Sequence, residues 1–235
     1  MAWLRAALVL LAAVALATAA GAQQIGVVAS QEPELRGTPP GQATRILGVG
    51  APVVAQETIA SSQSGRGQVM FSDRTTLTLS PNSEIVLDRF VFDPDGGGSS
   101  AGLRLTRGAL RFIGGQATRQ QEAEIRTPTL IIGIRGSSAL VSHEGGRTRA
   151  ILIAGDRMCA GQGDARTCTN RQGAILTEDG YAGQVTQQEL GRVLAQVDGP
   201  PRRGGPFRAD AADAGTSGGV GVRNGLTGIR GESDP

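Results

Sequence analysis

Residues with chemical reach are few in this chain. The one histidine, His143, stands beside Glu144, and acid–base catalysis would need the fold to aim both at a shared substrate. The stretch is polar and runs into Gly145-Gly146, so it reads as a surface turn and His143 as a solvated side chain. Ser137 and Ser138 follow Gly136 but lack the G-x-S-x-G frame of a nucleophile elbow. Glu122 and Glu124 lie in a polar linker. A glycosidase would pair two carboxyl groups of this kind, and only a fold can bring such a pair together. Arg107, Arg111, Arg126 and Arg135 would make an anion-binding patch if their strands stacked in register. Solvent-facing pairing with Asp88, Glu122 or Glu124 is the plainer reading, and such pairs stabilise little. No catalytic constellation, cofactor motif or metal-ligand set emerges, since His143 has no cluster of acids or thiols beside it.

The two cysteines, Cys159 and Cys168, enclose a segment containing Gly161, Gly163 and Asp164. In an exported protein this is a disulfide clamping a hairpin. Closing so short a loop contributes roughly 2–3 kcal/mol in the chain-entropy model. The spacing does not fit a CxxC redox motif.

Export is what the N-terminus indicates. Arg5 precedes an apolar run from Ala6 to Ala20, and Ala20-Gly21-Ala22 offers a small-x-small cleavage site before Gln23. Residues 1–22 therefore read as a secretory signal peptide. The rival, an uncleaved anchor, is disfavoured because the run is short and mostly alanine. No stable membrane insertion is expected after cleavage, and the location expected is periplasmic or secreted.

The elements that would position these residues are strands. Glycine numbers 36 and proline 11 in 235 residues, with aromatics at 3%, a composition suited to short strands and tight turns. All 23 basic residues are arginine against 21 acids, a net +2, and no basic face for nucleic acid stands out. Residues 23–44 are polar and proline-rich and read as an extended leader, though Ile25-Gly-Val-Val28 could add a strand. From Arg45 the pattern turns to alternation. Val69 and Phe71 lead through an Asp73-Arg74 turn to Leu77 and Leu79, and Pro81-Asn82 makes the next turn. Ile85 and Leu87 are odd-numbered whereas Phe90 and Phe92 are even, which predicts a bulge or bend near Asp88-Arg89. Ile125 to Ser137 reads as a central strand apolar on both faces, with Pro128 at its beginning and Arg135-Gly136-Ser137 as the following turn. His143 to Gly146 then joins two strands, and Gly173 to Thr177 closes the β region. Turn signals recur about every ten residues, the rhythm of an all-β sandwich, barrel or short solenoid. Thr186 and Glu189 form a capping-box pattern before Leu190, Val193, Leu194 and Val197, predicting one short amphipathic helix over 186–198. Residues 199–235 read as a disordered tail.

Several of these motifs, in this order, resemble the FecR domain, a periplasmic module named for ferric-citrate signalling regulators. They are Gly67 to Leu79, Pro81 to Leu87, Asp88 to Pro94, Arg107 to Phe112 and Thr127 to Gly136. The resemblance implies a FecR-like β domain over 45–180 in which Asp73, Thr75, Leu77, Pro81, Asp93, Pro94, Gly108, Thr127, Pro128, Gly133, Arg135 and Gly136 are scaffold positions. Arg74 stands where the family usually has glycine, which suggests a type I turn without positive φ. Signalling members are similar in carrying a cytoplasmic anti-sigma region and one membrane span; here a signal peptide stands instead. The chain resembles a stand-alone exported form, a non-catalytic module for a protein or cell-envelope partner, with a sensor or regulator of siderophore or metal uptake as the alternative.

Overall fold

The computed structural model describes residues 23–91 and 100–199. The signal-peptide reading, the tail from residue 200 onward, and Asp93 and Pro94 lie outside the described residues.

The described residues are all-β with two α-helices. Its strands are β1 (Gln24–Glu32), β2 (Leu35–Thr38), β3 (Arg45–Ile46), β4 (Pro52–Val54), β5 (Thr58–Ser61), β6 (Arg66–Phe71), β7 (Thr76–Leu79) and β8 (Glu84–Val91). There follow β9 (Ser100–Ile113), helix α1 (Ala117–Gln120), β10 (Ala123–Arg126), β11 (Ile131–Glu144), β12 (Arg147–Ala160) and β13 (Thr167–Thr169). The last elements are β14 (Ala174–Thr177), β15 (Gly180–Gln184) and helix α2 (Gln187–Asp198).

All strands join one sheet, which ends at β15 and β4 and does not close into a barrel. Its shape follows from β9 and β11, strands that change partners along their length. The first half of β9 lies between β8 and a parallel β10, and the second half between β7 and β11. Gly108 sits at that changeover with φ +81, and a Cβ there would lie 2.6 Å from Ser83 Cα. β11 pairs with β10 up to Ile134 and with β9 from Ser138 onward. The sheet therefore folds over, and inward side chains from both arms meet in one core. Ile59, Leu77, Leu105, Phe112, Ile125 and Ile132 are fully buried there. Each contributes roughly 1.5–3 kcal/mol by leaving water.

The parity switch in β8 is a bulge. Val86 pairs with Arg104 but Arg89 pairs with Gly102, one residue out of step. That step lets Ile85, Leu87 and then Phe90 all face inward. Phe90 stacks on Phe71 with centroids 4.6 Å apart.

Three expectations change. Residues 23–44 are more than an extended leader: the Ile25-Gly-Val-Val28 piece does form a strand, β1 pairs with β6 and β4, β2 pairs with β5, and Ile25, Val28 and Leu35 are buried. Their backbone groups complete sheet edges that the later strands leave open. The stretch from Ile125 is a hairpin rather than one strand. Pro128 lies in the turn between β10 and β11, which Thr127 closes by donating its hydroxyl to Leu130 O at 3.0 Å and accepting from Leu130 N at 2.9 Å. Arg135-Gly136-Ser137 is no turn, because β11 runs through it opposite β12, bending at Gly136 where φ is +55.

Helix α2 is as its sequence predicts. Thr186 accepts from Glu189 N at 3.2 Å and Glu189 accepts from Thr186 N at 2.8 Å, a capping box. Leu190 and Val197 pack on Leu140, Ile151 and Ile153, an outward apolar face of β11 and β12. At the helix end Arg111 Nε lies 3.0 Å from Asp198 Oδ1, an ion pair out of line for a hydrogen bond. Burial pushes the Asp198 carboxyl above its ordinary range, against the pull of Arg111. The short helix α1 and strand β15 carried no clear signal, being too brief and too small-residued to show a period.

Candidate functional site: a turn-lined cleft, a locked turn and an open edge

At one end of the sheet three turns converge on an open cleft of about 420 Å³. Pro81 and Asn82 form one wall, Thr106, Arg107 and Gly108 at the β9 bend another, and His143 to Gly146 the third. Pro81 and Gly108, separate in sequence, are thereby brought together. Ser83 joins the walls from beneath, accepting from Ala109 N at 3.0 Å.

His143 is not the solvated loop residue its neighbours suggested. It is the penultimate residue of β11, is nearly buried, and its Nδ1 lies 3.0 Å from Thr148 Oγ1. Thr148 Oγ1 also lies 2.7 Å from Thr127 Oγ1 and 2.8 Å from Thr129 Oγ1. Thr129 donates its hydroxyl to Glu178 Oε1 at 2.5 Å, so the contacts run from His143 through Thr148 and Thr129 to a carboxylate. Burial alone would raise the Glu178 carboxyl, but bonds from Thr129 and Thr148 N and the nearby Arg147 charge hold it below its ordinary range. The relay fastens the β11–β12 hairpin to the β10–β11 turn.

The other residues with chemical reach are similarly engaged. Ser137 donates to Arg135 O at 2.7 Å and accepts from Arg157 N at 2.9 Å. Glu122 bonds Arg166, and Glu124 bonds Arg126 at 2.8 Å. Arg107 pairs with Glu84 at 3.3 Å and Arg104, not anticipated, with Asp88 at 3.1 Å. Arg135 stays exposed and faces Arg157 across the β11–β12 pair. The four candidate arginines thus serve separate places. Among the described residues no group of three or more His, Cys, Asp or Glu side chains is placed to hold a metal ion.

At the opposite side of β6 and β7 the Asp73 turn is locked. Fully buried Asp73 accepts from Thr75 N and Thr75 Oγ1, both at 2.7 Å, and from Ala117 N at 3.1 Å. Arg74 between them has φ +70, so the turn is not the type I expected; arginine occupies the left-handed conformation that glycine adopts without strain. Leu77 enters the core one pleat on. Gly133 lies across from Cys159, and a Cβ there would lie 2.0 Å from Glu122 Oε1. Cys159 and Cys168 are disulfide-bonded across β12 and β13.

Sequence reasoning missed two features. Glu57 is fully buried, accepting from Arg45 Nη2 at 2.9 Å and Val54 N at 2.9 Å. A lone acidic residue before a strand gives no sign of this. Among the described residues strand β15 pairs only with β14, and its Tyr181 is 50% exposed.

A family model described as FecR protein matches residues 57–156. Over those residues the chain is similar to the FecR domain. The match runs from Glu57 through most of β12, so every described scaffold position named from sequence lies inside it. The matched segment is extended by β1–β4 at one side and by the disulfide hairpin, β14, β15 and α2 at the other. No curated protein sequence matches the chain. Among solved structures, two crystal structures of a candidate anti-sigma factor from Parabacteroides distasonis are similar. One shares 12% identity at a TM-score of 0.45, covering 58% of this chain and 63% of that one. The other shares 13% at 0.45, covering 58% and 64%. The chain spans less than two thirds of either.

Proposed function

We propose that this FecR-domain protein is an exported, non-catalytic interaction module that receives an extended segment of a protein partner on the edge of β15. The open edge carries this reading. Among the described residues β15 pairs on one side only; it is built of Gly, Ala, Gln and a half-exposed Tyr181, and it carries no charge to repel a strand. Backbone hydrogen bonds would supply affinity and Tyr181 a side-chain anchor. The occupied states of His143, Ser137, Glu122 and Glu124 support a scaffold over an enzyme. Among the described residues no helix is long and apolar enough to cross a membrane. The FecR domain also supports a regulatory role, with siderophore or metal-uptake signalling as the specific form.

Ala182 tests the edge. It falls between the paired positions Leu176↔Tyr181 and Ile175↔Gly183, at a register shift. Proline is tolerated at such a bulge and removes a donor from the edge. Ala182→Pro is expected to abolish partner capture by the full chain at an unchanged melting temperature; undiminished capture would overturn the edge. Export is tested by intact mass on fractionated cells, with a chain beginning at Gln23 expected outside the cytoplasm and a retained Met1 in the inner membrane opposing it.

A further inference from the structure

The two sulfurs of the disulfide stand in unlike surroundings. Cys159 is fully buried in β12, whereas Cys168 is exposed on β13, a three-residue strand that among the described residues pairs only with β12. One guanidinium spans both. Arg157 Nε donates to Cys159 Sγ at 3.2 Å and Nη2 donates to Cys168 Sγ at 3.2 Å. A disulfide sulfur is a weak acceptor, but a thiolate facing the same donors makes charge-assisted hydrogen bonds. The fork therefore favours the cleaved state over the closed one, and a cation beside a cysteine lowers its thiol pKa.

The setting adds to this. Arg135 faces Arg157 across the sheet, a second positive group, with the Asp156 carboxylate over neighbouring Gly136. Gly133, Cys159 and Cys168 form one cross-strand row, and the space left at Gly133 is filled by the Glu122–Arg166 pair. The Glu122 carboxylate is thus tied to its own arginine. The bridge closes a sequence separation of 9, so opening it releases less chain entropy than opening a long-loop bridge would.

We propose that Cys159–Cys168 is a thiol-exchange site, opened at exposed Cys168 by a dithiol, with Arg157 holding the departing Cys159 thiolate. The partner thiolate attacks Cys168 Sγ. A bond forms between those two sulfurs, the bond to Cys159 breaks, and its electron pair stays on Cys159 Sγ. The second partner thiolate then attacks the partner's own sulfur in this mixed disulfide, and Cys168 leaves as thiolate. The dithiol is oxidised to a disulfide, the chain is reduced to two cysteines, and the dithiol's protons pass to those cysteines or to solvent. Attack in the other direction is blocked, because Cys159 offers no exposed sulfur.

Dithiothreitol is the probe, with the full oxidised chain followed by release of free thiols. Arg157→Gln is expected to slow reduction on the order of tenfold, from the loss of thiolate stabilisation. Arg157→Lys, which keeps a charge but not the fork, falls between, and Arg135→Gln stays within about twofold, as a group that touches neither sulfur. Glutathione disulfide should modify Cys168 in Cys159→Ser and leave Cys159 unmodified in folded Cys168→Ser. An Arg157→Gln rate equal to the natural chain's, or equal modification of both cysteines, would overturn the proposal. Neither readout involves β15, so this site stands or falls apart from the docking edge.

Discussion

Asp73 grips Thr75 twice, once through the backbone N–H and once through the hydroxyl, both at 2.7 Å. The same carboxylate reaches Ala117 N at 3.1 Å, so one buried group joins the β6–β7 turn to the segment after β9. Asp73→Ala strands those donors without replacement. We expect a loss of about 2–4 kcal/mol, from unsatisfied buried groups, read by urea denaturation. A loss below about 0.5 kcal/mol, within the range of ordinary surface changes, would remove Asp73 from the scaffold.

Arg74, held at φ +70 next to it, gives the opposite sign. Arg74→Gly relieves left-handed strain but loosens the unfolded chain, leaving a net gain of roughly 0.5–1 kcal/mol. The same denaturation series checks it, and destabilisation would show that the arginine side chain, not the backbone, matters there.

Arg45 covers the buried Glu57 carboxylate at 2.9 Å. Removing the cation leaves an uncompensated charge, which costs about 3–5 kcal/mol for a fully buried pair. Arg45 is itself 35% exposed, so water reaches the pair and the expected loss for Arg45→Ala is nearer 2 kcal/mol. Pairing Arg45→Ala with Glu57→Gln should recover part of it, because the neutral amide needs no counter-charge.

Glu178 sets a pH dependence. Its folded carboxyl lies below the ordinary 4.5, so the folded state binds its proton less readily than the unfolded one. Its contribution is fully present above that value and is lost as pH falls through the folded pKa. The Glu178→Gln chain should show a shallower loss of stability on acidification below about pH 4.5 than the natural chain. Identical slopes would place the relay's stabilisation elsewhere.

Much of this fold is legible where local pattern and tertiary packing agree. The alternation of Val69 and Phe71 with Leu77 and Leu79 gives the β6–β7 hairpin, and the parity change from Leu87 to Phe90 marks a bulge that the register shows. Thr186 and Glu189 announce the helix they cap. What escapes is decided at long range. Ile25 and Val28 belong to a short apolar piece that allows a strand without naming its partner, Leu35 stands alone in a polar stretch, and β5 and β6, tens of residues later, bury them. His143 sits beside glycines in sequence but beside Thr148 and Leu110's strand in space. The β15 edge has no pattern to read, because Gly180, Ala182 and Gly183 show no apolar alternation; its openness is a property of the sheet, not of the segment.

A photo-crosslinking side chain placed at Tyr181 in the full chain, activated in living cells, tests the β15 edge most directly. A discrete protein adduct is expected from position 181, absent when the same side chain replaces Arg149 on β12 and lost on adding Ala182→Pro. No adduct at 181, or the same adducts at both positions, would contradict partner docking on β15.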